Sequence, residues 1–321
     1  MNSLKKLFIS PLEDGVRTFC RTGVAVLLLS PLFYGCGSNK ENAETEGTDT
    51  TSMGETGNMT KTTSKAQNIF YSIPSPIELA ELIQKAGAKY NKDLLNPIEN
   101  KSKYMTNTSK ALNLGVYGAD LSYTSVFDDN TQESILYLGC TRTLAEALGV
   151  GNAFDEKTVD RIQANTAKKD SLLSIISDSY MTTDEMLKES QREGASALVI
   201  TGGFIEALYL GSQLAKTTKN SADIITRLAE QKGTLDNVVG LLSTYEKDAA
   251  VAGVLADVKA LKEIYDQVKV TSVSSSDVKT NSTTKVTTIG GKISYAITPE
   301  LVTKLTEKSA EIRNKIISGQ N

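Results

Sequence analysis

Two acids in this chain stand where a charged side chain is unusual. Asp120 lies between Ala119 and Leu121, with Tyr117 and Tyr123 nearby, and Glu206 lies within the nearly all-apolar stretch 195–215. Burial disfavours the charged form of a carboxyl, so both pKa values are expected to rise. Two such acids could serve as the acid/base pair of a glycan-directed hydrolase. The plainer expectation is that each is neutralised inside the fold, by a buried lysine or arginine (Arg142, for example) or by a tyrosine hydroxyl. Little else is equipped for catalysis. The chain has no histidine, no tryptophan and three cysteines. That leaves no Ser-His-Asp or Cys-His machinery, no histidine-ligated metal and no cysteine-rich zinc site.

The remaining candidates have simple explanations. Asp128-Asp129-Asn130 could hint at calcium, but no loop of EF-hand spacing follows, and helix capping accounts for it. Gly202-Gly203 lacks the lysine and the strand of a phosphate-binding loop. Cys140 sits among Ile135, Leu136, Leu138 and Leu144 and reads as a small buried hydrophobe. No cofactor and no metal are expected. Lys plus Arg number 35 against 38 Asp plus Glu, a net charge of −3, so nothing in the charge balance calls for nucleic acid.

Cys36 is different, because its setting is distinctive. Lys5, Lys6, Arg17 and Arg21 form a basic leader, and an apolar run follows from Val24 to Phe33, ending at Tyr34-Gly35-Cys36. Ten helical residues span about 15 Å, half of a ~30 Å hydrocarbon core. The run therefore has the proportions of a signal-peptide core over residues 1–35 rather than of a membrane span. Gly35 before Cys36 resembles a bacterial lipoprotein cleavage box, in which the sulfur receives a diacylglyceryl group, although Phe33-Tyr34 departs from the Leu-Ala/Ser version. The rival is an uncleaved anchor or ordinary signal with an incidental cysteine. Two or three palmitate-type chains on Cys36 would anchor the protein without any spanning segment. Cys20 would leave with the leader, so Cys140 would remain as an unpaired thiol.

Residues 37–66 offer almost nothing to bury, only Ala43, Met53, Met59 and Ala66 among polar residues. Residues 36–68 are thus read as the lipidated cysteine and a disordered tether. A coil of that length reaches about 30 Å from its anchor. Ser38-Asn39-Lys40-Glu41 reads either as a lysine-plus-acid surface-export signal or as plain linker.

Residues 69–321 are read as one mainly α domain, a bundle of about eight helices with one small hairpin near 285–297. Ser75-Pro76-Ile77-Glu78 combines an N-cap, an N1 proline and a capping-box glutamate, ahead of Leu79, Ile83, Ala86 and Tyr90 at helical spacing. A helix is expected over 107–127, and another from the Asn130/Glu133 capping box to Leu148, stopped by Gly149. Val159, Ile162, Thr166, Leu173, Ile176 and Tyr180 predict one long amphipathic helix. The stretch 195–215 reads as a helix buried all round, its glycines admitting close neighbours, with a transmembrane segment as the rival. Gly233 is expected to split helices at 221–231 and 234–246. Val251, Val254, Val258, Leu261, Tyr265 and Val268 mark a heptad-like seam at 248–269. Residues 271–284 read as loop, Gly290-Gly291 as the hairpin turn, and Thr298-Pro299 as the start of a closing helix with Leu301, Leu305, Ile312 and Ile316 inward.

The runs Tyr71-Ser72-Ile73-Pro74-Ser75-Pro76, Ala86-Gly87-Ala88-Lys89-Tyr90-Asn91 and Leu112-Asn113-Leu114-Gly115-Val116-Tyr117 resemble a group of helical lipoproteins from Bacteroidota-type bacteria, over most of residues 69–269. The resemblance implies an envelope location and a helical body, and it carries no catalytic residue. In that setting Asp170-Ser171-Leu172 fits a short O-glycosylation sequon, or arises by chance on a helix. The expected function is a non-enzymatic envelope lipoprotein, anchored to the outer membrane and binding or scaffolding an envelope partner. A hydrolase using Asp120 and Glu206 and a carrier of a small apolar ligand are the alternatives.

Overall fold

The computed structural model describes residues 76–127, 131–165, 168–219, 221–281 and 286–320. The leader, Cys20, Cys36, the tether, Ser75 and Asp128-Asp129-Asn130 lie outside the described residues. Within them the chain is a mainly α bundle with one antiparallel hairpin, as the sequence predicts. The helices are α1 (Pro76–Lys85), α2 (Asn107–Val126), α3 (Thr131–Ala147), α4 (Glu156–Ala164), α5 (Lys169–Glu189), α6 (Glu193–Thr217), α7 (Ala222–Thr244), α8 (Ala249–Tyr265) and α9 (Pro299–Ser318). Short 3-10 turns at Lys92–Leu94 and Ile98–Lys103 link α1 to α2.

Local chemistry explains most of these boundaries. Thr106 and Ser109 form a reciprocal capping box at the start of α2: the Ser109 amide donates to Thr106 Oγ1 at 2.9 Å and the Thr106 amide to Ser109 Oγ at 3.2 Å. Asp248 caps α8, and Thr298 with Pro299 opens α9. The chain leaves α3 through Gly149 at φ 76°, a left-handed conformation that glycine adopts without strain.

At the centre is α6, which touches α1, α2, α5, α7, α8 and α9. By length and composition it is apolar enough to cross a membrane, with a mean hydropathy of 1.4 over its most apolar stretch, yet 78% of that stretch is buried against the rest of the fold. Its closest partner is α2. A Cβ added to Gly115 would overlap the Val199 carbonyl oxygen and lie 2.6 Å from the Gly203 amide nitrogen, and one added to Gly202 would overlap the Leu112 carbonyl. The two backbones are in direct contact there, which only a missing side chain permits.

Four expectations need correction. α1 stops at Lys85, so Ala86 and Tyr90 lie beyond it; the turn at Gly87 brings Tyr90 onto Tyr123, with ring centroids 5.4 Å apart. The long amphipathic helix is two, α4 and α5. Asn165 ends the first, its side chain bonding the Arg161 carbonyl at 2.8 Å, a competition with the helical backbone typical of asparagine. Gly233 does not split α7, because buried Leu228, Leu235 and Val238 on either side outweigh a penalty of about 1 kcal/mol. The hairpin is longer and shifted. β1 (Lys269–Asn281) occupies the expected loop and pairs with β2 (Val286–Ala296). Gly291 faces Ser274 inside the ladder, beside a register shift between Ser274 and Val278. The glycine pair therefore marks a bulge rather than the turn.

Candidate functional site

The α2–α6 crossing places the two singled-out acids together. Asp120 is on α2, Glu206 on α6, and both are 0% exposed. Glu206 lies near enough to Asp120 to raise its carboxyl. Glu206 is gripped from α9 by Arg313, itself 5% exposed: Nε donates to Oε2 at 3.0 Å and Nη2 to Oε1 at 3.2 Å. Nη2 also donates to the Leu94 carbonyl at 2.9 Å, and the guanidinium lies 4.5 Å from the Tyr209 ring centroid. Bidentate pairing of this kind is the strong form of a charge-assisted hydrogen bond.

Asp120 Oδ2 accepts from the Asn96 amide at 3.2 Å, while no donor among the described residues reaches Oδ1. Around the acids runs a closed set of polar contacts between the α1–α2 connection and α9. Asn96 Nδ2 donates to Tyr104 Oη at 2.9 Å, Asn100 Nδ2 to Asn96 Oδ1 at 2.8 Å, and Asn113 Nδ2 to the Ile316 carbonyl at 3.0 Å. The nearby tyrosine hydroxyls are spent on backbone: Tyr117 on Pro97 at 2.8 Å, Tyr137 on Asn96 at 3.1 Å. The network pins an irregular segment and the last helix to the central pair, supplying a donor to the Asn96 carbonyl and a second donor to those of Pro97 and Ile316.

Burial, and then the neighbouring Glu206, push the Asp120 carboxyl well above its ordinary range, with Arg313 opposing them. Burial also raises Glu206, against the pull of Arg313. The guanidinium stays charged, because Glu206 more than reverses the effect of burial on it.

The plainer expectation for these acids holds in kind for Glu206, with a different partner. Arg142 is not involved; it pairs with Glu146 at 2.8 Å on the outer side of α3. Arg313 escaped notice although Leu305, Ser309, Arg313 and Ile316 follow helical spacing, which puts the arginine on the inward stripe of α9. An arginine within an apolar stripe is the signal that could have found it. A hydrolytic pair would need both acids on one solvent-reached cleft, with carboxyls about 5 Å apart or more. Here both acids are fully buried and neither reaches solvent.

Other candidates fall elsewhere. Cys140 is a free, buried thiol, its Sγ 3.8 Å from the Ile98 carbonyl, and burial pushes it up to about 11. Ser171 is exposed at the first turn of α5, between exposed Asp170 and buried Leu172. A cleft lined by Leu208, Leu228, Leu261, Tyr265 and Leu305 encloses about 10 Å³, roughly the room of one water. Among the described residues no group of three Cys, Asp or Glu could hold a metal ion. No family model, no curated protein and no solved structure matches this chain.

Proposed function

We propose that the protein is a lipid-anchored lipoprotein of the cell envelope, of the helical Bacteroidota type it resembles, whose body binds or scaffolds an envelope partner. The carrying observation is the order of segments: a basic leader, ten mostly apolar residues, Gly35-Cys36, a stretch with little to bury, then a folded body. Acyl chains contribute about 0.8 kcal/mol per buried methylene, so two or three on Cys36 hold the molecule at the outer membrane without a span. The body then works at the end of a tether. Its two singled-out acids are shut inside the body, where neither can meet a substrate, which weighs against a hydrolase. The described cleft is too small for a lipid-sized ligand.

The test is crosslinking in intact cells followed by pull-down of the full chain, alongside fractionation of Cys36→Ser. The expected result is a discrete crosslinked partner for the wild type and a soluble exported Cys36→Ser protein. Membrane retention of Cys36→Ser, or crosslinks no different from those of an unrelated lipoprotein, would contradict the proposal.

A further inference from the structure

We propose that Asp120 and Glu206 share one proton, carried on Asp120 Oδ1, and that the chain takes this proton from solvent as it folds. The geometry requires it. Both acids are fully buried, and only one cation, Arg313, pairs with either of them among the described residues. Both Glu206 oxygens accept from the guanidinium, and Asp120 Oδ2 accepts from the Asn96 amide. Two ionised carboxylates offer only acceptors, so two of them buried with a single guanidinium need a hydrogen on one. The oxygen left without a donor, Asp120 Oδ1, is the place for it. A hydroxyl there donates to Glu206, and the cluster becomes neutral: one carboxylate, one guanidinium, one carboxylic acid. Ionising Asp120 as well would leave an uncompensated charge away from water.

The consequence has a definite sign. An aspartate in the unfolded chain titrates near 3.9, and the folded one is held well above that, so the folded state binds the extra proton between the two values. This contribution to stability is fully present below the unfolded pKa and is lost as pH rises toward the folded one. Among the described residues, the other titratable groups that feel Asp120 are Tyr90 and Tyr104 before α2, Tyr117 and Tyr123 on it, Tyr137 and Cys140 on α3, Tyr180 on α5 and Tyr209 on α6. All of them are raised, Cys140 to about 11 and Tyr104 and Tyr123 to about 12. With no histidine in the chain, the window from about pH 5.5 to 7.5 belongs to the acid pair; above it Cys140 adds a slope of the same sign, because an unfolded thiol titrates near 8.5 and the buried one at about 11.

The experiment follows denaturant unfolding of the full chain across that window, with infrared detection of a protonated carboxyl. The wild type should lose up to tenfold in its folding equilibrium constant per pH unit and show a carboxylic-acid carbonyl band. Asp120→Asn should lose both the slope and the band, and be more stable than the wild type at about pH 8. Its amide donates to Glu206 while its oxygen accepts from Asn96, as the protonated acid does. Glu206→Gln should also remove the slope, by leaving Arg313 for an ionised Asp120. A flat wild-type profile without the band overturns the proposal, as does a band that survives in Asp120→Asn. So does an Asp120→Asn chain that fails to fold, since the amide reproduces both contacts.

Discussion

Arg313 holds both carboxylate oxygens of Glu206, at 3.0 and 3.2 Å, from a helix 107 residues further along the chain. That contact fastens α9 to the central helix. Through the Leu94 carbonyl the same guanidinium also fixes the irregular connection before α2.

Removing one partner strands the other as a buried charge. Arg313→Ala or Glu206→Ala is expected to cost about 3–5 kcal/mol. The paired replacement Glu206→Met with Arg313→Met should recover much of that loss. Chemical unfolding of the full chain measures all three, and single variants as stable as the wild type, or a double variant that loses the sum of the two single losses, would show that the pair contributes little.

The helix crossing makes predictions of opposite sign for different glycines. Gly115→Ala and Gly202→Ala put a methyl into a facing backbone carbonyl, and each should destabilise by about 1–3 kcal/mol or more. Gly139→Ala and Gly233→Ala meet nothing within 4 Å and should each stabilise by about 1 kcal/mol. Melting temperatures of the four variants decide the matter. A neutral Gly202→Ala would contradict the close approach of α2 and α6.

Cys140 should behave as an inert core residue. Its thiol is buried and pushed up to about 11, and the thiolate is the reactive form. Alkylation at neutral pH, mapped by peptide mass spectrometry, should be slow in the folded chain and fast in denaturant. Rapid labelling of the native protein would mean that α3 opens readily.

The parts of the fold that follow local rules were legible in the sequence. Thr298-Pro299 does start α9, Gly149 does follow the end of α3, and the heptad-like seam of α8 is buried through Val251, Val254, Val258, Leu261 and Tyr265. So was the all-round burial of the helix carrying Glu206. Features decided by tertiary packing were not. Asn165 breaks a pattern whose neighbours all tolerate helix, and β1 is a strand although its Ser-rich sequence gives a sheet little to bury. Asp120 and Glu206 were visible as misplaced charges, but a sequence does not show which of many cations will lie against a given acid once the chain folds. Arg313 differs from Arg142 only in sitting on an inward stripe.

The central claim, attachment through acyl chains on Cys36, is met most directly by a mass spectrum of the N-terminal peptide from the mature, membrane-extracted protein. A chain starting at Cys36 and heavier by two or three fatty acyl groups is the expected result. An unmodified Cys36, or a mature chain beginning at another residue, would contradict it.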